Sequence, residues 1–392
     1  MEPGAQKIYN RAIHRLAPEE AALERSRDIP YPLSLNAMAQ YFWRTGTEQG
    51  WLSDGGEKRR GRASNETPLL LAVSGGGDSA AMLWMFRTLY DGPLIVAHVN
   101  HGIRDISDED AAFVKQRAET WGTPYVERKV SVPEERARGE SLETAARRVR
   151  HRELVSLADS TGAWGIATGH NRDDLAETAL FNILRGTGPR GGVGITGQNG
   201  RFLRPMLGLR REFLRELLRV RGLSWREDET NGDTSLTRNF IRLELLPLIE
   251  ERVNAGAVEH LADFAASLSL WREDEERRGK ALLEAAFQDG DDGRDAPVPG
   301  QSHGGGASAQ AGGGLTLSRK AVAALSPLER SLVIREAGRR LELPTLSRRR
   351  VDEFSALIVR QKQFTFQWAR GVDVLGKFGV IRWGKPRQNG RA

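Results

Sequence analysis

The sequence predicts an α/β fold with a doubly wound, mostly parallel sheet, followed by helical and small α+β C-terminal domains. Three observations carry this. Short apolar runs of strand length alternate with longer segments of helical spacing between residues 68 and 188, the pattern of a parallel sheet covered on both faces. From about residue 205 the chain turns helical, and two polar, low-complexity stretches, SDGGEKRRGRASNE (53–66) and DGDDGRDAPVPGQSHGGGASAQAGGG (289–314), divide it. Both stretches are too poor in apolar groups to offset their ordering entropy, so flexible linkers are expected there.

In chain order, LNAMAQYFWRTG reads as one accessory helix within an N-terminal extension and linker, residues 1–65. Over 66–250, LLLAV, LIVAHVNH, PYVERKVSV and WGIATGH read as strands; AAMLWMFRTLY, DEDAAFVKQRAETWG, LETAARRVRHRELVSLADSTG and DLAETALFNILRG read as helices. RREFLRELLRVRG and FIRLELLPLIEERV continue as helices, and residues 251–288 form a helical region. A linker over 289–315 then leads to a C-terminal domain, 316–392, with helices near 320–361 and a hairpin, QFTFQWARGVDVLGKFGVIRW.

With 392 residues and 39% hydrophobic content the chain can bury more than one core. No run reaches the roughly 18 apolar residues of a membrane span, and the start lacks the apolar core of a signal peptide, so a cytoplasmic location and no membrane partner are expected. The absence of cysteine excludes disulfides, thiolate zinc sites and persulfide chemistry on this chain. The net charge of +6 is concentrated: residues 316–392 hold 17 Lys and Arg against 6 Asp and Glu, a net +11. Such a domain fits a nucleic-acid footprint or an arginine-rich solvated surface.

Ligands of parallel sheets bind at the carboxyl ends of the strands, and the chemistry-bearing residues fall there. SGGGDS (74–79) follows the first strand. Gly75, Gly76 and Gly77 leave backbone N–H groups open to an oxyanion, the helix that follows points its positive end the same way, and Ser74 and Ser79 add hydroxyl donors. Asp78 either holds magnesium that bridges phosphates or caps the helix. Asn100, His101 and Arg104 end the second strand; His98 is expected to point into the sheet. Arg147 and Arg150, one turn apart in ETAARRVR, suit an anion or form a solvated stripe. His170, Asp173, Asp174 and Glu177 come to the same edge, with Asp174 and Glu177 sharing a helix face and Asp173 near the cap, where acids also serve the helix dipole. Arg238, Asn239 and Arg242 in TRNFIR either contact nucleotide or RNA or brace the next helix.

The string SGGGDS resembles the SGGxDS loop of the PP-loop ATP pyrophosphatases, of the adenine nucleotide alpha hydrolase-like fold, which cleave ATP between the α and β phosphates. This accounts for the missing Walker-type lysine, since no γ-phosphoryl group is transferred. AVSGGGDS, AHVNHGIR, ETAARRVR, ATGHNRDDLAETALFNILRGTG, RFLRPMLGLRREFL and EDETNGDTSLTRNFIRLELLPLI, in this order, resemble the tRNA(Ile)-lysidine synthases over residues 68 to about 250. Three departures stand out. His151 replaces a frequent tyrosine, DETN and SLTRN replace the commoner DxSN and YxRN, and Asn100 holds a position that is often acidic.

The resemblance implies ATP as substrate with magnesium, a tRNA(Ile) with a CAU anticodon, free lysine, and a possible homodimer. It implies that residues 74–79 with Asn100 and His101 hold the nucleotide, with Asp78 at the metal. Arg147 then stabilises the α-phosphate, Asp174 aligns the lysine amine with Asp173 and Glu177 as alternatives, and Arg104, Arg150, Arg185, Arg238, Asn239 and Arg242 contact lysine or tRNA. The rivals are another base-modifying or amide-forming ATP pyrophosphatase, or a noncatalytic nucleotide- or RNA-binding module.

Overall fold

The computed structural model describes residues 1–26, 29–52, 67–102, 107–227, 232–288 and 315–383. Both predicted linkers lie outside the described residues. The chain forms two compact units, Met1–Leu268 and Ser269–Ala392.

The first unit opens with three helices, α1 (Pro3–Ala12), α2 (Pro18–Ser26) and α3 (Leu35–Glu48). Only α3 was expected from the sequence. Ser34 caps α3 by accepting the Ala37 N–H. The parallel sheet begins with β1 (Leu69–Ala72), α4 (Gly77–Leu89), β2 (Leu94–Asn100), α5 (Ser107–Thr120) and β3 (Tyr125–Lys129). It continues through α6 (Val132–Glu135), α7 (Leu142–Ser160), β4 (Gly165–Thr168), α8 (Arg172–Leu184) and α9 (Pro189–Gly192). The short strands β5 (Gln198–Asn199) and β6 (Phe202–Leu203) finish it. Strand order is β3-β2-β1-β4-β6-β5, parallel except for the β5–β6 pair at the edge.

β1 lies between β2 and β4, with Leu69 opposite both Leu94 and Gly165. Leu69, Leu70 and Leu71 are fully buried, each worth about 1.5–3 kcal/mol of apolar transfer. One face of the sheet packs on α4 and α5 together with α1 and α3, through Phe42, Trp51, Trp84 and Phe86. The other face packs on α7 through Leu154, Leu157 and Ala158. The N-terminal helices therefore belong to the main core rather than decorating it.

After the sheet come α10 (Arg211–Val220), α11 (Thr237–Phe240), a π turn over Ile241–Leu245, and α12 (Leu246–Arg252). The sequence pattern predicts one continuous helix from Phe240. The structure instead breaks it, with Pro247 early in α12 and the wider π turn before it. Helix α13 (Ala257–Gln288) runs across the boundary between the units.

In the second unit, β7 (Thr316–Ser318) precedes α14 (Arg319–Ala324), α15 (Pro327–Arg340) and α16 (Arg348–Arg360). The expected hairpin is the greater part of a four-stranded antiparallel sheet, β7-β10-β9-β8, built with β8 (Phe364–Ala369), β9 (Val372–Lys377) and β10 (Val380–Trp383). Alternation along β8 and β9 buries Phe364, Phe366, Trp368, Val372 and Val374 and exposes the residues between them. Phe354 from α16 stacks on Phe366 at 4.5 Å and meets Trp383 edge-on at 6.0 Å.

Candidate active site

The loop 74–79 joins β1 to α4 at the carboxyl edge of the sheet. Gly75 has φ +95°, a conformation that disfavours side chains, and its carbonyl accepts the Arg226 N–H at 3.0 Å. Helix α4 starts at Gly77, with Gly76 rather than Asp78 at the cap. The Ser79 hydroxyl closes the loop, donating to the Gly76 carbonyl at 2.9 Å and accepting the Ser74 N–H at 3.2 Å. Ser74 is exposed, while Asp78 sits in the first turn of α4 and is half-buried. Of the two readings of Asp78, capping is therefore not the one realised.

The end of β4 approaches this loop closely. A Cβ on Gly169 would stand 3.1 Å from the Ser79 nitrogen, so the glycine eases the close approach of the end of β4 to the start of α4. Next to it, Asn171 and Asp174 form a capping box at the start of α8: Asn171 accepts the Asp174 N–H, and Asp174 Oδ2 accepts the Asn171 N–H, both at 3.0 Å. The other oxygen, Asp174 Oδ1, is turned to Arg211 and Arg238.

Arg211, the first residue of α10, gathers the carboxylates. Its guanidinium lies 3.0 Å from Asp174 Oδ1, 3.0 Å from Glu177 Oε1 and 3.6 Å from Asp78 Oδ2. A cation at a helix N-terminus opposes the dipole, and three acids outweigh that here. Asp173 holds the helix end in place, accepting the Arg211 N–H at 2.7 Å and the Arg210 guanidinium at 3.2 Å. Arg238 also reaches these acids, 3.3 Å from Glu177 and 3.5 Å from Asp174.

Burial and charge pull these groups apart. Burial pushes the Asp78 and Glu177 carboxyls up, against the pull of Arg211. Burial would raise Asp174 as well, but the Arg211 and Arg238 guanidiniums and the Asn171 N–H bring it below its ordinary value. Burial brings the His170 imidazole down to about 4, so it is neutral at pH 7; its Nδ1 meets the Thr168 hydroxyl at 2.9 Å. Arg242 is lowered by burial and then by Arg211.

A cationic group lies within electrostatic reach of Asp174. Arg150 is lowered by the surrounding protein and by Arg147 and Arg238, and Arg204 by burial and Arg147. Arg147, Arg150 and Arg204 thus share one neighbourhood, suited to an anion. Arg204 also donates to the Thr196 carbonyl at 2.7 Å.

Other expected residues are engaged elsewhere. Asn100 is buried and its amide is spent on the loop after β2, donating to Asp108 at 2.7 Å and accepting the Gly102 N–H at 3.1 Å. The His101 carbonyl accepts the Val132 N–H at 3.3 Å, and His98 points inward to the Val73 carbonyl at 2.8 Å. Asn239 donates to the Asp233 carbonyl at 2.9 Å. Arg185 lies over Phe181 at 5.1 Å, about 16 Å along α8 from Asp174 by helical rise. Arg104 lies outside the described residues. His151 stacks on Phe202 at 4.2 Å, an aromatic contact of the kind a tyrosine would make.

Sequence reasoning passed over Arg210, Arg211 and Arg204. The signal for the first two was present: paired arginines opening a helix run against the dipole and call for acids nearby.

A family model described as the PP-loop domain matches residues 57–249, a span that includes the loop, the carboxylates and Arg211. The chain is 44% identical over 223 residues to a tRNA(Ile)-lysidine synthase of Thermus thermophilus, a span that is 57% of this chain and 43% of that protein. It is 39% identical over 232 residues to the tRNA(Ile)-lysidine synthase of Geobacter sulfurreducens, covering 56% and 47% respectively. The chain thus spans less than half the length of these curated relatives. Among the described residues, no helix is long and apolar enough to cross a membrane.

Among the described residues there is no group of three or more His, Asp or Glu placed to hold a metal. A single carboxylate at the loop, Asp78, fits magnesium, which takes one or two protein carboxylates and completes its shell with phosphates and water.

Proposed function

We propose that the chain is a tRNA(Ile)-lysidine synthase, which adenylates the C2 oxygen of the wobble cytidine in a CAU-anticodon tRNA(Ile) and replaces AMP with free lysine. The observation that carries the reading is the Asp174–Glu177 pair, one helical turn apart and linked through Arg211 to Asp78 of the phosphate loop, in a domain whose relatives are named lysidine synthases. A phosphate loop alone would serve any ATP pyrophosphatase. Paired acids beside it give an amine a seat.

The cytosine C2 carbonyl is a poor electrophile. Its oxygen attacks the α phosphate and pyrophosphate leaves, held by the backbone N–H groups of the loop and the Ser74 hydroxyl. Magnesium at Asp78, when bound, neutralises phosphate charge. Arg147, with Arg150 and Arg204 beside it, offsets the charge that develops on the α phosphate. The lysine ε-amine then attacks C2, the C2–O bond breaks and AMP departs. Asp174, ionised, anchors the arriving ammonium. Glu177, whose carboxyl is pushed up, is the better acceptor for the proton the amine must lose. Neutral His170 keeps a competing cation out of the seat.

The test is release of AMP and pyrophosphate from ATP, with and without lysine and a CAU-anticodon tRNA. Turnover that requires both is expected. Turnover with tRNA but without lysine dependence points to another base-modifying enzyme, and ATP binding without cleavage to a noncatalytic module. In the same assay Asp174→Asn keeps ATP binding and lowers lysine transfer by about 100-fold or more; unchanged lysidine formation would remove the assignment.

A further inference from the structure

Two guanidinium groups meet the Asp174–Glu177 pair, and they are held differently. Arg211 makes both contacts at 3.0 Å, its side chain is 11% exposed, and it is rooted in a ten-residue helix whose end is tied to Asp173. Arg238 reaches the same two acids at 3.3 and 3.5 Å and is 35% exposed. It stands in the four-residue helix α11, which runs straight into the π turn. One arginine is a fixture. The other is held weakly, on an irregular segment.

We propose that Arg238 is a placeholder: in the empty site its guanidinium occupies the seat of the incoming primary amine, and lysine displaces it into the cleft. This rests on the functional reading above. Charge balance argues for it. Asp78, Asp174 and Glu177 lie around Arg211, and the Glu177 side chain is only 2% exposed; Arg238 and Arg242 add compensating charge, and of these two Arg238 is the one within 3.5 Å of Asp174 and Glu177. When an ammonium arrives, two cations compete for one shared face, and the one with longer contacts and more exposure leaves. The displaced guanidinium stays near Arg150, on the cationic side of the cleft. There it meets the phosphates of the nucleotide or of the tRNA. Lysine binding and anion binding therefore reinforce each other through this one side chain.

The placeholder makes a prediction of unusual sign, because removing a cation that touches phosphate or merely braces a helix does not improve lysine binding. An arginine seated four-fifths of the time reduces apparent affinity about fivefold. In the wild-type chain, Arg238→Met and Arg238→Ala, lysine KM and kcat are measured with ATP and CAU-anticodon tRNA, and lysine binding is measured by calorimetry. Both variants are expected to bind lysine about fivefold more tightly while kcat falls. In Arg238→Ala alone, added ethylguanidinium refills the seat and raises lysine KM. A lysine KM that is unchanged or higher in the variants, with a wild-type enzyme that turns over, overturns the placeholder and leaves the functional reading intact. Should neither variant fold, calorimetry on Arg238→Lys decides: lysine affinity equal to that of the wild type or weaker overturns it. A wild-type chain that neither binds nor consumes lysine overturns the functional reading itself.

Discussion

At the residue scale, the acidic cluster separates into roles that three neighbouring carboxylates in a sequence do not reveal. Asp173 is spent on the end of α10, Asp174 divides one oxygen to its own helix cap and the other to Arg211 and Arg238, and Glu177 is the most buried. His170 lies beside them, and its imidazole is held near 4 by burial against about 6.5 in an unfolded chain. Between those values the unfolded state binds the extra proton, so the stability linked to His170 is complete above about 6.5 and drains away as pH falls toward 4. Each unit of that depression is worth about 1.4 kcal/mol at full effect. Denaturant midpoints measured from pH 7 to pH 5 are expected to fall less in His170→Gln than in the parent; equal slopes would remove the claim. The glycine loop, the acids and Arg238 were legible because their residue types and helical spacing carry the signal. Which acid is free was not. That depends on Arg210 and Arg211, some 35 residues later, and only the fold brings them back.

Elements explain why Arg211 arrives where it does. Helix α10 begins at the site and lies along α4, which begins with the phosphate loop, and the N-terminal helices grip both. Arg221, just past the end of α10, lies 4.0 Å over the ring of Trp84 in α4 and donates to Glu24 and to the Leu33 carbonyl, each at 2.8 Å. Glu24 in turn accepts the Leu35 N–H at 3.0 Å, and the Arg221 and Glu24 side chains are 0% and 4% exposed. Breaking such a pair strands a buried charge. Glu24→Gln is expected to cost about 3–5 kcal/mol, read as a fall in the thermal midpoint; a surface-like change below about 1 kcal/mol would show that the clamp is unimportant. The alternation of β1 to β4 with their helices was legible because buried strands and amphipathic helices have distinct periods. Helices α1 and α2 were not, since both are short and their own residues are largely polar. The break at 241–245 was hidden too, because a π turn changes the phase of the apolar pattern without interrupting it.

The whole molecule pairs an acid-lined site in the first unit with a second unit that is strongly basic. Residues 316–392 carry 17 Lys and Arg against 6 Asp and Glu, and three of those acids, Glu336, Asp352 and Glu353, are taken up by Arg339, Arg348 and Arg350 along the helices. The excess remains on the surface: Arg348 is 91% exposed, Arg349 and Lys362 are exposed, and Lys377 and Arg382 stand at exposed strand positions. A tRNA held by such a surface releases counterions from its phosphates, so its affinity depends on salt. For the full chain, the binding constant for a CAU-anticodon tRNA is expected to drop at least about tenfold between roughly 50 and 200 mM salt. Replacing Arg348, Arg349 and Lys362 together with Glu is expected to weaken binding at low salt and flatten that slope, while ATP affinity, which the proposed function places in the first unit, stays unchanged. A slope that is flat in the parent, or unaltered in the triple variant, would move the RNA contact away from this unit and leave its charge as a property of solvation alone.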